Sequence, residues 1–310
     1  MTPNLSVVIG TLKLKNPLLV SSGTFGYAQE FVDFLDLNIL GGIVTKTITL
    51  FPRQGNRPPR TCETPAGLLN SIGLENPGIK VFIQEKLPYF QKLKVPLIVS
   101  IAAQDEISEF VELAEKLDKE RLVAAIELNI SCPNVRHCTK KSNVKLIAQD
   151  AKATALVVKA VKKVTTKPII TKLSPNVTDI TEIALAAEEA GSDGVSLVNT
   201  ITAMAVDVEK RRPKLAMVIG GLSGPAIRPI AVRMVWETYK KVRIPIIGMG
   251  GIMDADSALE FILAGASAIS VGTANFINPN VCSEILRGIC GYMIRHRITS
   301  LERLRGAIMC

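Results

Sequence analysis

Pro245–Thr273 reads PIIGMGGIMDADSALEFILAGASAISVGT: an apolar run, two glycines, a helical stretch and a second apolar run. Asp254 is placed to cap the helix and Gly265 to end it, so the segment predicts a strand, a helix and a parallel strand. The same pattern extends outward along the chain. PLLVSSG (17–23), GGIVTKT (41–47), PLIVSIA (96–102), AAIELNI (124–130), PIITKLS (168–174) and GVSLVNT (194–200) join PIIGMGG (245–251) and AISVGT (268–273), which makes eight short strand-like runs.

Helical periods separate these runs. In DEISEFVELAEKLDKE (105–120), Ile107, Phe110, Val111, Ala114 and Leu117 form an apolar stripe over a charged face, the pattern of a helix packed outside a sheet. Gly191 ends another helix that begins near Thr178. Strand and helix in alternation predict an α/β fold, a (β/α)8 TIM barrel, with residues 1–310 as a single domain. SVVIGTLKLKN (6–16) predicts an N-terminal β-hairpin plugging the barrel bottom. Ile48–Pro77, rich in Pro, Gly and Arg, predicts an ordered loop insertion at the C-terminal face. The competing architecture, an open doubly wound sheet, calls for a GxGxxG turn with an acidic residue further on, and the sequence has neither.

Hydrophobic residues make up 47% of the chain and charged residues 21%, enough for a large core and too little charge for disorder. The net charge is +9, but Lys and Arg are scattered over the helices and aromatic residues are only 5%. That combination reads as a solvated surface suited to phosphate ligands or acidic protein partners, with no nucleic-acid interface. MTPNLSVVIG is no signal leader and no run of about 18 apolar residues occurs, so the expectation is a cytoplasmic protein without a membrane span. The six cysteines form no CxxC pair and no zinc spacing with histidine; reduced thiols and no protein-held metal are expected.

A barrel of this kind builds its site from the C-terminal strand ends, and here nearly every strand ends in a polar residue or glycine. Ser22, Lys46, Ser100, Asn129, Lys172, Asn199 with Thr200, Gly250 with Gly251, and Gly272 with Thr273 all fall there. A lysine in an apolar strand must reach solvent or meet an anion; two at equivalent ends, Lys46 and Lys172, point to an anionic ligand. The glycines after strands seven and eight let the backbone approach a phosphate closely, which points to a phosphorylated cofactor. Cys132, just past strand four, is placed to act as a base or nucleophile, whereas Cys62, Cys282, Cys290 and Cys310 read as inert small hydrophobes and His137 and Cys138 as loop residues.

ELNISCPNV (127–135), NSIGLENPG (70–78), KLSPNVTDI (172–180), GGLSGPAIRP (220–229), IIGMGGI (246–252) and AGASAISVGTANF (264–276) resemble the class 1 dihydroorotate dehydrogenases, particularly the class 1B catalytic subunit. The resemblance runs from about Leu12 to Pro279. It implies one FMN per chain, contacted by Ser22, Lys46, Thr47, Ser100, Asn129, Lys172, Val198, Gly224, Gly250, Gly251, Gly272 and Thr273. It implies a substrate stacked on the flavin and held by Lys46, Asn70, Ser71, Ile72, Gly73, Leu74, Asn129, Asn199 and Thr200. Cys132 would take the proton from ring carbon 5 of dihydroorotate while a hydride leaves carbon 6 for the flavin, giving orotate for pyrimidine biosynthesis.

By the same resemblance, electrons pass to NAD through a separate subunit carrying FAD and an iron–sulfur cluster, joined to a homodimer of this chain as a heterotetramer. Two other readings share the barrel: a uracil- or thymine-reducing enzyme like dihydropyrimidine dehydrogenase, and a class 1A-like homodimer linked to fumarate. The chain departs from the family pattern in two places. Ser100 stands where a flavin-contacting Asn is usual, and VRHCTKKSNVKLIAQD (135–150) lacks the usual Gly-Gly pair.

Overall fold

The computed structural model describes residues 3–104, 106–131 and 147–309. Eight parallel strands close a barrel in sequence order: Leu18–Val20, Gly42–Val44, Leu97–Ile101, Val123–Asn129, Ile169–Lys172, Gly194–Leu197, Ile246–Met249 and Ala268–Val271. All eight strand-like runs of the sequence supply one strand each. Four of these strands start directly after a proline, at Pro17, Pro96, Pro168 and Pro245. Proline has no N–H to give the ladder, so it sits at a strand's first step. Its carbonyl still accepts: the N–H groups of Ile269, Ile43, Ile126 and Val195 donate to these four carbonyls at 2.8–3.0 Å.

Helices cover the outside. Those following strands three to eight are Ile107–Asp118, Ala151–Lys162, Ile180–Glu189, Arg228–Tyr239, Ala255–Leu263 and Val281–Arg295. Asp254 caps its helix in a reciprocal box with Ser257, and Gly265 follows its end at φ +120°. Asp179 caps Ile180–Glu189, and Gly191 follows at φ +99°. The stripe expected on Ile107–Asp118 is displaced by part of a turn. Leu113 is fully buried with Phe110, Ala114 and Leu117, while Ile107, in the first turn, is 37% exposed.

The N-terminal hairpin, Val7–Ile9 against Leu12–Leu14, buries Ile9 and Leu14 at the N-terminal strand ends. A Cβ on Gly194, at the start of strand six, would lie 2.8 Å from Ile9 Cγ2, so the plug fits closely. The insertion after strand two is more regular than a loop. Its strands Thr61–Thr64 and Gly67–Asn70 pair with Gly220–Ser223 and Ile201–Ala203 into a four-stranded antiparallel sheet. That sheet draws on the connections after strands two and six, and it carries Asn70–Leu74 to the barrel mouth.

Candidate active site

A cavity of about 370 Å³ opens at the C-terminal strand ends, within the range of about 300–1,000 Å³ usual for small-molecule sites. Its floor is made by the strand ends themselves. Ser22, Lys46, Thr47, Asn129 and Lys172 line it from strands one, two, four and five. Val198, Asn199 and Thr200 line it after strand six, and Gly250, Gly251, Gly272 and Thr273 after strands seven and eight. The antiparallel sheet closes the other side with Asn70, Ile72, Gly73, Leu74 and, beside them, Gly224.

Two expected contacts do not line this cavity. Ser71 turns into its own loop, where its hydroxyl and carbonyl accept from Asn56 Nδ2, both at 3.0 Å. Ser100 is fully buried beneath Thr47, its Oγ 3.0 Å from Thr47 Oγ1. A serine is too short to pass its neighbour and reach the mouth, so Ser100 supports the floor from behind. Cys132 lies outside the described residues, as do Asn134, His137, Cys138 and Cys310.

One polar network runs under the floor. Thr47 Oγ1 meets Ser22 Oγ at 3.0 Å and accepts from Asn129 Nδ2 at 2.9 Å. Asn129 Oδ1 accepts from Ser131 at 3.3 Å, and Ser131 Oγ accepts from Asn199 Nδ2 at 2.9 Å. Asn199 Oδ1 in turn accepts from the Thr200 N–H at 2.8 Å. Each amide is thereby fixed in rotamer, which leaves a defined donor and acceptor face toward a ligand. Ser131, which joins Asn129 to Asn199, went unnoticed in the sequence because an isolated serine carries no signal.

Among the described residues the cavity lining carries three cations, Lys46, Lys172 and Arg60, and one carboxylate, Glu75, which pairs with Arg60. Among the described residues Lys46 has no ion-pair partner. The excess of positive charge suits an anion. At the far end Gly224, Gly250 and Gly251 hold φ of +90°, +121° and +81°. A Cβ on Gly251 would come within 2.8 Å of the Gly224 carbonyl oxygen and of Arg228 Cβ, so backbone packs directly on backbone there. Among the described residues the N–H groups of Gly250, Gly251, Gly272 and Thr273 donate to no backbone acceptor in the surrounding turns. They form a cradle of backbone donors suited to a phosphate.

Asp254 caps the helix that follows strand seven. Its carboxyl lies below the usual carboxylate range, chiefly through the Ser257 hydroxyl, then the Ser257 N–H, with Arg228 adding to both and burial opposing them. Away from the cavity, burial pushes the Cys282 thiol up to about 12, consistent with an inert core cysteine.

A family profile described as dihydroorotate dehydrogenase matches residues 4–293. The chain belongs to the dihydroorotate dehydrogenase family. Among its relatives is the "Dihydroorotate dehydrogenase B (NAD(+)), catalytic subunit" of Desulforamulus reducens, 52% identical over 307 residues that cover 99% of each chain. Proteins of the same name from Geotalea uraniireducens and Caldicellulosiruptor bescii are 50% and 51% identical, the first over 99% of both chains and the second over 98% of this chain and 99% of its own. The likeness to this family therefore extends over the insertion sheet as well as the barrel.

Two charged lining or floor features escaped the sequence reading. Arg60 with Glu75 closes the mouth from a loop whose charges look like ordinary surface. Glu127 stands directly behind Lys172, and its signal was available: it interrupts AAIELNI just as Lys172 interrupts PIITKLS.

Proposed function

We propose that this chain oxidises dihydroorotate to orotate in pyrimidine nucleotide synthesis, as the catalytic subunit of an NAD-linked assembly. The observation that carries the reading is the pair of ammonium groups, Lys46 and Lys172, in one cavity whose far end is a glycine cradle. A phosphorylated, partly anionic cofactor and a carboxylate-bearing substrate both fit that charge. The donor set suits FMN: the glycines for its phosphate, Lys172 for the electron-rich side of its ring, and Ser22, Thr47, Val198 and Thr273 along its length. Bound there, FMN would supply the two-electron acceptor.

The chain's own residues supply the rest. Lys46 offers a cation for the orotate carboxylate, and Asn70, Asn129, Asn199 and Thr200 offer alternating donors and acceptors to the pyrimidine edge. Ile72, Gly73 and Leu74 roof the ring, and Ser71 holds that roof through Asn56. Cys132, three residues beyond the buried end of strand four and next to Ser131 in sequence, takes the proton from carbon 5. Asn129 and Lys172 are partners on adjacent strands, which supports cofactor and substrate contacts side by side.

The assembly is a homodimer of this single-domain chain joined to a cytoplasmic partner that holds FAD and an iron–sulfur cluster. The words "catalytic subunit" in the relatives' names support a second subunit. Turnover separates this reading from its neighbours. Dihydroorotate oxidation with poor NAD reduction by the isolated chain is expected; preferential uracil reduction would favour the dihydropyrimidine dehydrogenase-like alternative, and efficient fumarate reduction a class 1A-like homodimer.

A further inference from the structure

Glu127 is a carboxylate in the interior of the barrel, its side chain 2% exposed. Ionised groups in such a place are paired, because an isolated charge out of water is far more costly than a pair. Among the described residues its one ion-pair partner is Lys172, whose Nζ lies 3.7 Å from Oε1 and whose side chain is 5% exposed. That separation is longer than a hydrogen bond. Oε2 accepts from Ser196 Oγ at 3.2 Å, while among the described residues Oε1 has no hydrogen-bond partner. Lys172 makes no hydrogen bond of its own among the described residues, and it lines the cavity where Glu127 does not.

The register explains the stacking. Glu127 and Asn129 are two apart on strand four and face the same side, with Asn129 opposite Lys172 and Ser196 opposite Lys172 on the next strand. Glu127 therefore sits one layer below the floor, anchored by Ser196, and holds the ammonium by charge without taking its protons. Those N–H groups remain for whatever lies above. The negative charge below also reduces the positive potential that reaches the cavity.

We propose that Glu127 is a positioning residue for the flavin site: it fixes the Lys172 ammonium at the floor and sets the potential that Lys172 presents to the bound ring. The inference rests on the FMN reading of the cavity. Removing the carboxylate charge while keeping its shape leaves the ammonium uncompensated, so reduced, negatively charged flavin gains over oxidised flavin.

The test is a redox titration of FMN bound to wild type, Glu127→Gln, Lys172→Met and the double variant, with FMN affinity followed by fluorescence quenching. Glu127→Gln should raise the ratio of reduced to oxidised flavin affinity at least tenfold, an upward shift of about 30 mV for a two-electron couple. The double variant should lie above Lys172→Met by less than Glu127→Gln lies above wild type, since part of the carboxylate's effect runs through the lysine it positions. A purely structural role would lower stability and leave the potential where it was; an unmoved or lowered potential in flavin-loaded Glu127→Gln overturns the proposal. Should that variant fail to fold, Glu127→Asp, which withdraws the charge by one methylene, must raise the potential by a smaller amount. Failure of wild type to bind FMN would instead refute the cofactor reading, so the two outcomes are distinct.

Discussion

Replacing Gly251 with alanine sets a methyl group against a wall on two sides. The new Cβ would lie 2.8 Å from the Gly224 carbonyl oxygen and 2.8 Å from Arg228 Cβ, at a backbone φ of +81°. Backbone in the left-handed region costs a residue with a side chain about 1–2 kcal/mol. Overpacking against atoms that cannot swing away adds about 1–3 kcal/mol. The sum, about 2–5 kcal/mol, is relieved most readily by moving the Gly250–Gly251 turn, which would pull its N–H groups out of the cradle. Urea unfolding of the apo protein measures the first effect and quenching of FMN fluorescence the second. We expect both a loss of stability in that range and at least tenfold weaker FMN binding. Gly272→Ala is the control: its nearest neighbour would be Ser21 Oγ at 3.6 Å, ordinary contact, so the fold should be unaffected while binding weakens. Wild-type stability and FMN affinity in Gly251→Ala would refute the cradle.

Lys172→Met leaves Glu127 alone in the barrel interior and should destabilise the apo protein by about 3–5 kcal/mol, the usual cost of breaking a buried pair. Adding Glu127→Gln should recover most of it, and equal losses in urea for single and double variants would contradict the pairing. Asp254→Ala should cost about 1 kcal/mol at neutral pH through its lost helix cap. The folded carboxyl sits below its usual 3.8, so its contribution is present above that value and fades as pH falls through the folded value; the gap to wild type in acid unfolding should close there. Cys132→Ser should keep FMN yet lose most turnover at pH 7, recovering partly as pH rises, because an unactivated hydroxyl is a far weaker base than a thiol. Near-wild-type rates at neutral pH would remove Cys132 from the role.

The barrel was legible because its strands are buried on both faces and read as continuous apolar runs, with helix signals such as Asp254, Gly265 and Gly191 between them. The antiparallel sheet at the mouth was not. Gly67–Asn70 and Gly220–Ser223 are short, glycine-bearing and only partly buried, so neither alternation nor β-branching marks them, and they pair across about 150 residues of chain. At the site, lysines and glycines at strand ends announced themselves by being out of place in apolar surroundings. Ser100 could be assigned to the floor region by position but not by depth, which depends on Thr47 standing above it. Ser131 and Asn199 meet only because two strand ends converge, a distance that local sequence does not encode.

The most direct test of the account is anaerobic addition of dihydroorotate to the purified, FMN-loaded chain while its absorbance is followed. The account predicts a yellow protein whose flavin bands bleach on addition, with orotate formed in proportion to the flavin reduced. A flavin that binds yet stays oxidised with excess dihydroorotate would contradict it.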